Sequence, residues 1–529
     1  MIDLIANNIA FLTISLFFSV AHARKLEDTM RSLPAELQVK IFECLDHIHD
    51  LLNCSVVCKF FYVVVRDSIT LQYRIQLAID GVSETEDASE DSIEVERLRI
   101  LLDRRRRWST LSPLKKSTIT FPSHRPWSYS DGVLCYVRDN HLLHYVITVV
   151  QLPSLSGGGS SYDIWITGLS SVPLALTHDP TQDLLALLTV TPIPASFDKH
   201  AVFIEMRSLR TGEKIRSPGL TPLCFIRENT MNPELHRPRI FQDYLAVLSQ
   251  KNDGPVTYSA TDFAFLTPKI LLLAQPDRSG QIEVLTPRQF LQDSPQHHHG
   301  FVHLLSLQLP RRSPNFYLDT MTITCEPTPA SLEQCSFSDA AVNAGIISVA
   351  CAVLDYRHGS RIVNFVFHAR TIFRALAAHN LLSPAIHIPK KAIAVPWSEW
   401  GPDACRGFLI DPWMEDICAI YGTRVVLGRR DSEDDPLPRG PQVFDFNVHR
   451  HMTVAAPDPP HAELVTAPTL LLEEPGFEDP VETALPYAAI DIPNADAYCG
   501  YRLDGQRLLA MKPRPDDDDA EQEVDVFVF

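Results

Sequence analysis

His297-His298-His299 are the first residues that invite chemistry, because neutral imidazole nitrogens bind zinc and similar metals. Three adjacent residues cannot all face one ion, and useful pairs stand three or four apart on a helix, so the tract reads as a solvent loop. His449 and His451 are two apart and would share one face of a strand; an exposed or core pair is the expectation. Cys54 and Cys58 stand four apart inside an apolar helical pattern, and no C-x2-C pair exists, so they read as small core residues. Trp397, Trp400 and Trp413 could anchor a peptide-binding surface, although core packing is the expected role. The sequence contains no G-x-x-x-x-G-K-[ST] phosphate loop, no G-x-G-x-x-G turn and no G-x-S-x-G elbow. No catalytic residue, metal ligand or cofactor is therefore assigned, and the expectation is a protein that binds.

The elements that would build such a surface follow from composition. The chain has 529 residues, 45% hydrophobic and 21% charged, which suits large folded domains and excludes a mainly disordered or polytopic membrane protein. Forty prolines against 21 glycines argue against a long all-helical chain. The net charge of −18 repels phosphate backbones, so no nucleic-acid partner is expected. Eleven cysteines, an odd number without regular spacing, do not form a disulfide framework.

Residues 1–29 form a hydrophobic leader with two readings. Ile9–Val20 is an apolar run followed by Ala21-His22-Ala23, a small-x-small pattern that fits secretory cleavage. The run is too short to span a bilayer, lacks a preceding Lys or Arg, and follows Asp3. The favoured reading is an upstream extension of the frame, with Met30 as an alternative start. Asn53-Cys54-Ser55 is the one glycosylation sequon, and it lies in a helical pattern.

Residues 30–80 have the spacing of a small helical module. Pro34 suits a first helical position, and Leu37, Ile41, Cys44 and Leu45 then form one stripe. Asp50 is the expected cap of the next helix, in which Leu51, Leu52, Val56, Val57, Phe60 and Phe61 continue the apolar pattern. Leu71, Ile75, Ala78 and Ile79 mark a further helix, stopped at Gly81. Three short helices cannot bury all these side chains, so some must lie on a partner or another domain.

Leu33-Pro34-x-Glu36-Leu37, Ile41, Leu45, Asp50-Leu51-Leu52, Val57-Cys58 and Phe60 resemble the F-box pattern over about a tenth of the chain. The resemblance implies an adaptor whose F-box docks on the Skp adaptor of a cullin–RING ubiquitin ligase while the rest of the chain selects a protein substrate. Carried over position by position, it implies that Leu33, Pro34, Leu37, Ile41, Leu45, Leu51, Leu52, Val57 and Cys58 face Skp. It also implies a cytoplasmic or nuclear protein.

Ser83–Glu96 carries seven acids and no base, and Arg97–Lys116 carries eight bases and one acid. Val95, Leu98, Leu101 and Leu102 recur helically up to Arg104-Arg105-Arg106-Arg107-Trp108, so residues 81–116 read as a charged helical linker. The basic run suggests a nuclear-import or acidic-partner patch, or, as favoured, a solvated face paired with the acidic loop.

Residues 117–529 read as β-rich. Short runs such as Leu142–Leu152, Leu184–Val190, Ala201–Met206, Tyr244–Leu248, Ile346–Leu354 and Val443–Phe446 are bounded by turn residues. Arg370–Leu381 is the best helical candidate, and Val524–Phe529 alternates like a final strand. The fold class is α+β multidomain: a three-helix F-box module, a helical linker and a large β-rich domain. A degenerate β-propeller is favoured for that domain, without the WD signature, and a two-sheet sandwich is the fallback. Ala394–Pro402 and Cys418–Leu427 resemble parts of fungal F-box proteins of this length. The alternatives are a non-ligase F-box scaffold, or a secreted or membrane-associated β-propeller binding protein. No stable membrane span is expected.

Overall fold

The computed structural model describes residues 32–45, 47–81, 94–122, 125–140, 144–155, 163–166, 169, 173–192, 199–215, 224–228, 236–241, 244–249, 260–276, 280–288, 300–326, 345–355, 359–382, 392–410, 419–428, 440–452, 462–471, 476–513 and 521–529. The leader, the triple-histidine tract, Trp413, and most of the acidic stretch 83–96 lie outside these residues. The chain divides into two compact units.

The first unit holds residues up to Thr110 together with Asn447–Ala462. Its helices are α1 (Ala35–Glu43), α2 (Ile48–Val57), α3 (Lys59–Asp67), α4 (Ile69–Asp80) and α5 (Glu94–Thr110). The module thus has four helices before the linker helix, one more than the spacing predicts. The extra break falls at Cys58, whose backbone is extended and whose Sγ accepts a hydrogen bond from Phe61 N at 3.5 Å. Ser68 caps α4 in the same way through Leu71 N. Asp50 is not the expected cap of α2; His47 holds that position, and Asp50 sits inside the first turn. There its charge still complements the helix N-terminus. Gly81 ends α4 in the left-handed region, where its amide bonds the Ala78 and Leu77 carbonyls.

Thirty strands are described, and they lie in the second unit, β24 starting at the boundary residue Ala462. In chain order they are β1 (Lys115–Phe121), β2 (Trp127–Ser130), β3 (Val133–Asn140), β4 (His144–Gln151), β5 (Asp163–Ile166), β6 (Pro173–Asp179), β7 (Leu184–Pro192), β8 (Lys199–Ser208), β9 (Cys224–Glu228), β10 (His236–Phe241) and β11 (Tyr244–Ser249). There follow β12 (Asp262–Thr267), β13 (Ile270–Gln275), β14 (Gln281–Pro287), β15 (Phe301–Gln308), β16 (Phe316–Cys325), β17 (Ile346–Asp355), β18 (Gly359–His368), β19 (Ile393–Val395) and β20 (Cys405–Ile410). The last ten are β21 (Ala419–Tyr421), β22 (Arg424–Leu427), β23 (Gln442–Asp445), β24 (Ala462–Val465), β25 (Thr469–Leu471), β26 (Val481–Thr483), β27 (Tyr487–Asp491), β28 (Gly500–Leu503), β29 (Arg507–Met511) and β30 (Gln522–Val528). Helices α6 (Arg370–Ala378) and α7 (Trp397–Trp400) belong to this unit, and α8 (His449–Met452) belongs to the first.

Most strands pair with their sequence neighbours, as short turns dictate. The described strands form eight sheets where a sandwich would need two. Five are successive antiparallel groups: β2-β3-β4-β5, β6-β7-β8-β9, β10-β11, β12-β13-β14-β15 and β16-β17-β18-β20. Next come β21-β22-β23-β27-β24 and the hairpin β25-β26. Strand β19 adds in parallel to the edge of β15. The remaining sheet has the order β1-β30-β29-β28, so the first strand of the unit pairs antiparallel with the last.

Burial follows each strand's place. In β14 buried and half-buried residues alternate, whereas all of β29, flanked by β28 and β30, is buried. Asp525, on β30, is itself buried and receives Thr118 Oγ1 at 2.7 Å, Tyr498 OH at 2.8 Å and Lys116 Nζ at 2.8 Å. The largest apolar cluster runs from Leu266 and Val284 through Met321 and Phe365 to Trp400. Trp400 is core, as expected: its Nε1 donates to Gln308 O at 2.9 Å and its ring meets Phe367 at 5.2 Å. His449 and His451 lie on a short helix and not on a strand.

Candidate functional site

The first unit leaves an apolar face uncovered. Its own core is small: Phe42, Leu51, Phe61, Val65, Leu71 and Ile75 are buried together, with Phe42 meeting Phe61 edge-on at 5.4 Å. Backbone demands are met separately. Arg74 donates to Glu43 O at 2.9 Å and to Leu45 O at 2.6 Å, which satisfies carbonyls that the end of α1 leaves orphaned. Gln38 is buried and bonds Leu33 O at 2.8 Å.

Outside this core stand Leu37, Ile41, Leu52, Val56, Val57, Tyr62, Val63 and Ile69, each at least 40% exposed. Leu37 and Ile41 are four apart on α1, and Leu52 and Val56 are four apart on α2, so each helix turns a stripe outward. At about 25 cal/mol per Å² of apolar area, side chains of this size are worth roughly 1.5–3 kcal/mol each when covered. A stripe of such residues on neighbouring helices is the arrangement that a partner's groove receives.

The nine residues singled out in sequence divide over this structure. Leu37, Ile41, Leu52 and Val57 are exposed apolar side chains, and Pro34 is exposed at the head of α1. Leu33, Leu45 and Cys58 are half-buried against the core. Leu51 is 0% exposed and belongs to the module's own core. Val56, Tyr62, Val63 and Ile69 widen the face and were not among the residues carried over. The i, i+4 spacing of Leu52 and Val56 was the signal available for one of them.

Helix α5 departs from the expected solvated face. Arg105 is buried, and its guanidinium holds Asp80 at 3.1 Å and Gln76 Oε1 at 2.6 Å. Asp80 also receives Arg450 Nε at 2.8 Å, and Asn447 Nδ2 bonds Ile79 O. A carboxylate between two guanidiniums thus closes the end of α4. The other pairs on α5 are local, Arg99 with Glu96 at 2.6 Å and Arg107 with Asp103 at 2.9 Å.

Among known proteins, the F-box-like family model matches residues 30–77. These residues form an F-box-like module. The match spans α1 to α3 and most of α4, which are the elements that carry the exposed face. The F-box-like module is followed by a large β-rich region. No curated protein matches the chain. Among solved structures, the crystal structure of the tricorn protease matches at 10% identity and a TM-score of 0.30, covering 71% of this chain and 36% of that one. The chain therefore spans about a third of that protein's length, and nothing of that protein is carried over.

Among the described residues, no helix is long and apolar enough to cross a membrane. Among them too, no group of three or more His, Cys, Asp and Glu is placed to hold a metal ion. Cys44, Cys54, Cys58, Cys135, Cys325, Cys351, Cys405 and Cys499 are free thiols.

Proposed function

We propose that this protein is the substrate-recognition adaptor of a Skp–cullin–F-box ubiquitin ligase. The observation that carries the reading is the uncovered face of the F-box-like module, with Leu37 and Ile41 on α1 and Leu52 and Val57 on α2. The face would seat on the Skp adaptor, and Skp would bring the cullin. The protein does no bond chemistry in this scheme. It acts by holding a protein substrate where another subunit's ubiquitin meets it at high effective concentration. That work belongs in the cytosol or nucleus, and free cysteines suit such a reducing compartment.

We read the β-rich unit as a seven-bladed propeller that presents the substrate-binding surface. Successive antiparallel sheets favour this, and so does the pairing of β1 with β30 beside β29 and β28, the way a ring of blades is closed. The hairpin β25-β26 is an addition to one blade.

The test is calorimetry of the full chain against a purified Skp adaptor, with a Leu37→Asp, Ile41→Asp variant alongside. The adaptor reading requires binding by the parent and its loss in a variant that melts at the same temperature. A parent that does not bind would end it.

A further inference from the structure

We draw no further inference here: the strongest candidate, the side-chain cluster in which Asp131 of the β2–β3 turn, Asp179 at the end of β6, Glu326 just after β16 and Asp504 of the β28–β29 turn lie within electrostatic reach of one another, rests on carboxylates alone, and among the described residues no second observation points to a ligand there.

Discussion

Leu51 and Leu52 are neighbours in the chain and face opposite ways, one 0% exposed in the core of the F-box-like module and the other 40% exposed on its open face. The pair separates folding from binding. Leu51→Ala leaves a cavity and should cost about 2–5 kcal/mol of module stability. Leu52→Asp should leave the melting temperature within a few degrees while weakening Skp binding by about tenfold or more. Thermal unfolding and calorimetry on both variants check this, and a Leu52 variant that binds like the parent would remove α2 from the contact face.

Asp80 lies between Arg105 and Arg450, with all three side chains at most 10% exposed. Deleting one partner of a buried charge set leaves the others uncompensated, at a cost of roughly 3–5 kcal/mol. Asp80→Ala should therefore destabilise the first unit more than Arg105→Met does, since it strands two guanidiniums. Urea unfolding of the two variants measures the order, and the reverse order would show that the cluster is not acting as a charge set.

Gly132 has φ of 78°, and a Cβ there would stand 2.6 Å from Cζ of Arg507. Arg507 is buried, donating to Asp504 at 2.7 Å and to Pro153 O at 2.6 Å. Gly132→Ala should lower stability through both the left-handed backbone and the displaced guanidinium. In the Arg507→Ala background the same change should cost less, leaving only the backbone part. Additive losses in a double-mutant cycle of melting curves would contradict this contact.

Two carboxyls, the half-buried Glu326 and the buried Asp525, give opposite pH dependence. Burial pushes Glu326 up to about 7, with Asp131 and Asp504 adding to the shift and the Gly422 N–H, at 2.6 Å, opposing it. An acid raised in the folded state contributes stability fully below its unfolded value near 4.3, and that contribution is lost as pH rises through about 7. Glu326→Gln should flatten the loss between those limits and be relatively more stable at alkaline pH.

Asp525 runs the other way. Burial alone would raise it, but hydrogen bonds from Lys116, Thr118 and Tyr498 win and hold it below the ordinary carboxylate range. Its contribution is present above the unfolded value near 3.9 and is lost as pH falls through the lower folded value. Asp525→Asn should destabilise the protein at neutral pH and remove part of its acid unfolding. Chemical denaturation across pH reports both variants.

Local patterns carried much of this into the sequence. The Leu37–Ile41 stripe, the Gly81 stop and the runs that became β7, β8, β17 and β30 follow from side-chain period and turn residues, which act over a few positions. Which of Leu51 and Leu52 turns inward is not legible in sequence, because a two-residue apolar step on a helix straddles the boundary between core and face, and spacing alone does not say which side is inward. The burial of Arg105 was hidden for another reason. Its partners Asp80 and Gln76 are 25 and 29 residues away on another helix, and nothing in a run of four arginines marks the one that turns in.

The pairing of β1 with β30 sets a timetable. Thr118 meets Asp525 across 407 positions, so during synthesis β1 emerges long before the strand it pairs with exists. Until β30 leaves the ribosome, β1 has an open edge and the buried faces of β28 and β29 have no cover on that side. A chain that stops before Gln522 therefore keeps an unpaired β1 edge, open to pairing with another chain.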